Sequence, residues 1–453
     1  MTNPHGLSLQ AIRPCLEGAI PAIMATCDAD GTPNVAYISQ AVYVDEAHVA
    51  LSFQFFNKTR QNILCNPRAA LLVLDPRTAA FYRLHLYYER TEDHGPVFES
   101  MRAQLAGIAS HAGMAGVFEL KGSDIHRVER IEAVSGDTLP PPPQSPGLLH
   151  ALRLGSERMS RCMGLDDLLA CTLATLRDPL DIAHAMVLML DATAEQLYTV
   201  ASHGYATSGV GSEIRLGQGV IGVAAQERTP VRISHVTNAA RYSHAIRHSL
   251  DTHGDAGAAM QRGLDIPYPG LPEPHSQIAV PLVSAGRLLG VLFAESPEDM
   301  RFGFEEEDLL VALAGHLAAA IDLLQAAPDA PAEPPPAAAQ PPAPHGAALR
   351  VRHFAANDSV FINDDYLIKG VAGAIFCKLL RDHLASGRVD FSNRELRLDP
   401  ALKLPDVADN LEARLLLLQR RLLENSPHIR IEKTGRGRFR LHLQRPVVLD
   451  ATR

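Results

Sequence analysis

The sequence predicts a multidomain α+β protein with three folded modules in one chain. Two proline-rich segments divide it, and the stretches between them carry different hydrophobic periodicities. The first is strand-rich, the second runs helix, sheet, helix, and the third ends in a long amphipathic helix and a basic hairpin. At 453 residues the chain is long enough for about three cores.

The first divider is Leu139-Pro140-Pro141-Pro142-Pro143-Gln144-Ser145-Pro146, and the second spans 326–346, almost entirely Ala and Pro with two acids. Neither can bury a core, so both are expected to be extended, semi-rigid spacers. The expected modules are 1–137, 147–325 and 347–453. The six cysteines are scattered with no CxxC pair, which argues against a structural zinc or a disulfide framework. The opening residues lack a charged-then-apolar signal pattern. His316 and Asp322 interrupt the longest apolar run before it reaches the ~18 residues of a span. A cytoplasmic protein with no membrane partner is expected.

In the first module, segments 20–27, 34–44, 48–55, 69–75 and 80–90 read as strands, with Asp28-Ala29-Asp30-Gly31 as a hairpin turn. Asn57-Lys58-Thr59-Arg60 then opens a short helix. It places backbone N–H groups, an ammonium and a hydroxyl at one spot, the chemistry of a phosphate cradle. The order ADGTPNVA, LSFQFF, NKTRQNILCNPRAALLV resembles the FMN-binding split β-barrels related to pyridoxamine-phosphate oxidase. The resemblance covers about 130 residues. It implies a small antiparallel barrel, a homodimer, and FMN in a cleft between subunits. By the same resemblance Lys58, Thr59 and Arg60 would bind the FMN phosphate, while Ser52, Phe53 and Gln54 would line the ribityl chain and ring. Asn62 and Asn66 are read as bracing the helix. Other members of the family bind a deazaflavin or haem, or have lost the ligand. His111, on an unexpectedly helical late segment, is read as a packed side chain rather than a haem ligand. No pair of arginines matches a substrate-phosphate site, which lowers the case for vitamin B6 chemistry.

The middle module reads as an amphipathic helix over 153–177, then strands 185–190 and 196–203. A glycine-led short helix and strand follow in LGQGVIGVAAQERTPVRI, then a hairpin turning at Ala285-Gly286 and a closing helix in FGFEEEDLLVALAGHLAAAIDLLQ. Gly217, Gly219 and Gly222 do not follow a strand of a βαβ unit, so they are read as turn and packing glycines. This order resembles GAF domains, α/β sandwiches that bind small molecules beside the sheet. A long insertion lies between Ser234 and Gln277, with His235, His244, His248, His253 and His275 and the acids Asp251, Asp255 and Asp265. By the resemblance it lies over the ligand pocket, so a lid is expected, with His244, His248 and His275 facing an effector. The i,i+4 spacing of His244 and His248 could seat a metal; a solvated polar loop is the favoured reading, with no metal. Leu309, Leu310, Leu313 and Leu317 are expected to form a second dimer contact. Cys162 and Cys171 are placed on roughly opposite sides of one helix.

In the last module, 409–443 reads as a helix, a turn at Asn425-Ser426-Pro427 and a two-stranded hairpin. Leu411, Leu415, Leu418 and Leu422 share one face. Asn410, Arg414 and Arg421 fall on an adjoining stripe, expected to be open to a partner. Lys433, Arg436, Arg438 and Arg440 sit at the hairpin tip and return strand. Helix followed by basic wing resembles the winged helix-turn-helix output domains of bacterial response regulators, over roughly the last 100 residues. The resemblance implies duplex DNA as partner, with Asn410, Arg414 and Arg421 at the groove and Lys433, Arg436 and Arg438 at the backbone. Residues 347–453 hold 19 Lys+Arg against 13 Asp+Glu, a surplus of 6; the chain is at −9, so 1–346 carries −15. A basic module on an acidic body suits a nucleic-acid binder, although Asp406, Asp409 and Glu412 would oppose phosphates.

Together these features describe a one-component sensor and transcriptional regulator, coupling a flavin or small-ligand signal to DNA binding. The alternative is a flavin-dependent oxidoreductase regulated by its middle module. No nucleophile–base constellation or carboxylate pair points to a hydrolase.

Overall fold

The computed structural model describes the chain apart from residues 1–6, 19, 56, 112–118, 142–146, 235–265, 327–344, 403–410 and 453. A 3₁₀ turn, Gln10–Leu16, precedes strands β1 (Ala22–Cys27), β2 (Pro33–Ile38), β3 (Ala41–Tyr43) and β4 (His48–Phe53). Then come helix α1 (Lys58–Cys65), β5 (Arg68–Leu74), β6 (Phe81–Glu92), helix α2 (Pro96–His111) and β7 (Gly122–Val134). The strands form one antiparallel sheet in the order β2-β1-β5-β6-β7-β4-β3. Asp28 stabilises the β1–β2 turn by accepting from the N–H groups of Asp30 and Thr32. The sequence reading omits β7, which pairs along both β4 and β6 and is central to the sheet.

The middle unit contains α3 (Leu148–Met159), α4 (Leu165–Arg177), β8 (His184–Asp191), β9 (Gln196–His203) and β10 (Glu213–Arg215). It continues with α5 (Gly219–Glu227), β11 (Val231–Ile233), β12 (Ser276–Ser284), β13 (Arg287–Ser296) and α6 (Phe304–Ala326). Its six-stranded sheet has the order β10-β9-β8-β13-β12-β11. The single helix expected over 153–177 is two helices, because Gly164 adopts extended backbone (φ −150, ψ 160) and starts a new one. That break also overturns the placement of Cys162 and Cys171 on opposite sides of one helix: the two thiols hydrogen-bond, and the Cys162 thiol is pushed up to about 11, chiefly by burial. Leu309, Leu310, Leu313 and Leu317 are buried in this chain's own core, against α3 and the sheet. A second copy cannot reach them, so that face is not a dimer contact.

The other sheet face packs on α5 and, unexpectedly, on α2 of the first unit; Ala103 is buried among Val220, Val231 and Phe293. Gln104 brackets β11, donating to the Arg232 carbonyl and accepting its N–H at 2.9 Å. The first two units are therefore joined by packed side chains as well as by a spacer.

The last unit contains β14 (Leu349–Phe354), β15 (Ser359–Ile362), β16 (Asp365–Ile368), α7 (Gly370–Ser386), β17 (Asp390–Ser392) and α8 (Asn393–Leu398). It ends with α9 (Leu411–Asn425), β18 (Ile429–Gly435), β19 (Arg438–Leu443) and β20 (Val447–Thr452). Ser392 and Glu395 form a capping box at the start of α8, a satisfied N-terminus of the usual kind. The sheets are β16-β15-β14-β20, with β20 parallel to β14, and β17-β19-β18. Leu411, Leu415, Leu418 and Leu422 are buried as their spacing predicts. Among the described residues, no helix is long and apolar enough to cross a membrane.

Candidate functional site

The start of α1 stands at the wall of a cavity of about 560 Å³, lined by residues from β1, β2, β4, α1 and β7. Its volume lies in the range of small-molecule and cofactor sites. Asn57 is the N-cap of α1, its side chain accepting from the Arg60 N–H at 3.1 Å. The remaining first-turn N–H groups have no acceptor within the helix, so this end carries partial positive charge. Asn62 and Asn66 tie α1 to β1 by donating to the Thr26 hydroxyl (3.1 Å) and the Cys27 sulfur (3.0 Å).

Ser52, Phe53, Gln54, Thr59 and Arg60 all line this one cavity. Thr59 is buried and its hydroxyl accepts from Asn34 Nδ2 at 2.9 Å. Gln54 donates to the Ser39 hydroxyl at 2.6 Å, and Ser39 and Ser52 share a hydrogen bond of 3.0 Å. Lys58 is half exposed and pairs with Asp28 at 3.0 Å. That ammonium holds the Asp28 carboxyl below its ordinary value. Arg60 differs from the expectation of a phosphate cation. Its guanidinium is tied to Asp124 and donates to Thr91 Oγ1 at 2.9 Å, with Phe53 beneath it at 4.3 Å. Asp124 already balances its charge.

Asp124, Thr91 and His126 are the residues that the sequence reading missed. His126 also lines the cavity, fully buried, and its Nδ1–H donates to the Asp124 carbonyl at 2.9 Å. Burial holds its pKa below the ordinary value, so the ring is neutral near pH 7. The alternation in SDIHRVERIEAV was the available signal, since it reads as a strand.

In the middle unit a buried polar row crosses the sheet, with Gln277 opposite Glu295 and Glu295 opposite His184. Glu295 is 1% exposed and accepts from the Leu271 N–H (2.8 Å) and Gln277 Nε2 (3.0 Å). Burial raises its pKa. Of the residues expected to face an effector, His244 and His248 lie outside the described residues. His275 sits at the start of the β12 hairpin, its Nδ1 3.3 Å from Asp299.

In the last unit Asn410 lies outside the described residues. The stripe expected to be open is covered. Arg414 Nη2 is 2.7 Å from Asp191 Oδ2 of the middle unit, the side chains 7% and 14% exposed. Arg421 donates to the Leu367 carbonyl at 3.0 Å and pairs with Glu424 at 3.1 Å. Helical spacing placed both off the leucine face, but could not foresee that a second unit packs there. Lys433 and Arg436 on the hairpin are exposed, and Arg438 is half-buried.

The comparisons fit two of the three units. Residues 164–321 match the family model for the GAF domain, and residues 8–128 that for pyridoxamine 5'-phosphate oxidase. The chain therefore carries a pyridoxamine-phosphate-oxidase-like N-terminal unit followed by a GAF unit. Among solved structures, the GAF domain of a phosphoenolpyruvate-protein phosphotransferase from Coxiella burnetii is similar at 21% identity, covering 41% of this chain and 98% of that one, with a TM-score of 0.32. An FMN-binding protein from Syntrophomonas wolfei is similar at 17% identity, covering 28% and 86%, with a TM-score of 0.24. Free methionine-R-sulfoxide reductase from Neisseria meningitidis is similar at 22% identity, covering 39% and 90%, with a TM-score of 0.30. No curated protein matches.

Proposed function

We propose that this protein is a cytoplasmic sensor–regulator in which a flavin in the N-terminal unit and a small ligand of the GAF unit control DNA binding by the C-terminal unit. The observation that carries the flavin reading is the convergence of Ser52, Phe53, Gln54 and Thr59 on one cavity at the α1 N-terminus. There FMN would be held through its phosphate by the first-turn N–H groups, Thr59 and Lys58, with Phe53 and Gln54 along the ring and ribityl chain. Bound FMN would supply the redox chemistry; the protein supplies binding and electrostatics. An absorption spectrum of the purified protein tests this directly. Lys58→Ala with Thr59→Ala should lose flavin while circular dichroism stays unchanged. A wild type that neither carries flavin nor takes up added FMN rules the assignment out.

The C-terminal unit is read as a winged helix. Its support is the order α7, α8, α9, then the β18–β19 hairpin, with Lys433 and Arg436 exposed along it. The protein is proposed to be a homodimer through the first unit. Val35 and Tyr37 on edge strand β2 and the nearby Phe55 are 66%, 79% and 62% exposed. Apolar side chains that exposed beside a cavity mark an interaction surface. Tyr37→Asp should give a monomer by light scattering; a monomeric wild type at micromolar concentration removes the dimer.

A further inference from the structure

Helix α9 is buried on two sides. Leu411, Leu418 and Leu422 fill the core of its own unit, while Arg414, Leu416 and Leu417 are buried as well, at 6%, 6% and 4% exposure. Leu416 lines a groove with Leu165 and Asp166 of α4, and Leu417 lies against Gly211. What covers this side is therefore the GAF unit.

The contacts are charged and complementary. Arg414 pairs with Asp191 at 2.7 Å, its guanidinium 4.2 Å from the Tyr198 ring centroid. Arg420 donates to Asp166 at 2.5 Å and also to the Val200 carbonyl. Lys369 pairs with Glu213 at 2.9 Å, and Ser208 donates to Glu424. On the hairpin, Lys433 Nζ would lie only 3.0 Å from a Cβ on Gly164, at the N-terminus of α4 beside Asp166 and Asp167. Arg414 and Arg420 of the helix and Lys433 of the wing thus lie against one acidic surface of the GAF unit.

We propose that this acidic face, centred on Asp166 and Asp191, is an internal stand-in for nucleic-acid phosphate, and that duplex DNA and the GAF unit compete for α9 and its wing. The inference rests on the reading of the last unit as a DNA binder. Arg414 cannot serve both partners, because its charge is buried against Asp191 and Tyr198 in the docked arrangement. While docked, the guanidinium depends on Asp191, since a buried charge stripped of its partner is strongly disfavoured; once undocked, it is free to meet another anion. Duplex DNA supplies a dense row of such anions. The docked arrangement is therefore the form that does not bind DNA, and a signal acts by undocking α9 from β9 and α4.

The test uses the full chain and Asp166→Asn combined with Asp191→Asn. Asparagine at 191 keeps the oxygen that accepts from the N–H groups of Thr193 and Ala194, both at 3.1 Å, so the turn after β8 survives. Hydrogen exchange is followed in α9 and β9, with α7 as the folding control, and retardation of mixed genomic DNA fragments is measured at low salt. The variant should exchange on the order of tenfold faster in α9 and β9 than wild type. It should retard DNA at concentrations where wild type does not. Wild type driven onto DNA by excess should lose protection in β9. If wild type binds DNA with α9 and β9 fully protected, the competition is refuted while the DNA reading stands. An α9 freed in the variant that still retards no DNA would overturn the DNA reading, and the competition with it. Equal protection in wild type and variant would show that the aspartates do not hold the contact.

Discussion

Arg232→Met tests the reasoning about how the first two units are joined. Arg232 on β11 is 7% exposed and carries a full positive charge there. Burial opposes that charge, but Glu307 and Glu17 more than offset it and leave the guanidinium pKa raised. The Nε donates to Glu307 at 2.7 Å, and one Nη donates to Glu17 (2.6 Å), the Ser234 hydroxyl (3.1 Å) and the Phe302 carbonyl (3.2 Å). Glu17 comes from the N-terminal unit and its side chain is 5% exposed. Methionine has similar reach but no charge, so Glu17 is left buried without a cation.

Breaking one side of a buried pair costs about 3–5 kcal/mol. Glu17 has a cheaper way out, which is to take up a proton. At pH 7, protonating a carboxyl from its ordinary value of 4.5 costs about 3 kcal/mol, at 1.36 kcal/mol per unit. The expected loss is therefore about 3 kcal/mol at pH 7. Even in the wild type, burial raises the Glu17 pKa despite the nearby arginine; in the variant it rises further. A carboxyl whose folded pKa is raised contributes stability below its unfolded value and loses it as pH rises through the folded one. The deficit should accordingly shrink toward pH 5 and grow toward pH 8. The chain has no tryptophan, so urea unfolding is best followed by far-ultraviolet circular dichroism. With several units the first transition is the one to compare. Adding Glu17→Gln to Arg232→Met should recover much of the loss at pH 7. A cost below about 1 kcal/mol, or one independent of pH between 5 and 8, would refute the argument.

Three further outcomes follow from individual contacts. Glu295 is buried against the neutral donors Leu271 N–H and Gln277, and burial raises its pKa; its stabilisation is lost as pH rises through that raised value. Unfolding free energy should thus fall more steeply from pH 5 to 8 in wild type than in Glu295→Gln, by at most about 1.4 kcal/mol per pH unit, and parallel profiles would contradict this. A Cβ on Gly107 would lie 2.3 Å from Val231 Cγ1, and valine is short and stiff, so Gly107→Ala should cost about 1–3 kcal/mol and speed proteolysis between the first two units. Leu418 is fully buried and Leu423 is 64% exposed on the same helix, so Leu418→Ala should cost about 2–5 kcal/mol and Leu423→Ala under about 0.5 in urea titrations.

Much of the local structure could be read from the sequence. The period-3.6 leucines of α9, the strands flanking Asp28-Ala29-Asp30-Gly31 and Ala285-Gly286, and the helix opening at Asn57 are set by neighbours within a few residues. Those signals are short-range, and the structure has helices and strands in those places. The grouping of Ser52, Phe53 and Gln54 with Thr59 was implied by the family resemblance, and they line one cavity because a strand end and the next helix start are adjacent in the chain. Asp124 and His126 were not, since they reach the cavity only through the pairing of β7 with β4 across the sheet.

The sequence by itself determined that Leu418 and Leu422 face inward, that α1 begins at a capped, cationic turn, and that the last unit is basic while the rest is acidic. It could not determine what meets the other faces. Leu309 to Leu317 looked free for a second copy but face this chain's own sheet, and Arg414 looked free for a ligand but pairs with Asp191, 223 residues away by subtraction of their numbers. Amphipathic spacing states which side of a helix is apolar or charged; only the docking of whole units decides which surface that side will touch. Arg60 makes the same point within one unit, where a cation suited to phosphate is neutralised by Asp124, brought to it from 64 residues along the chain.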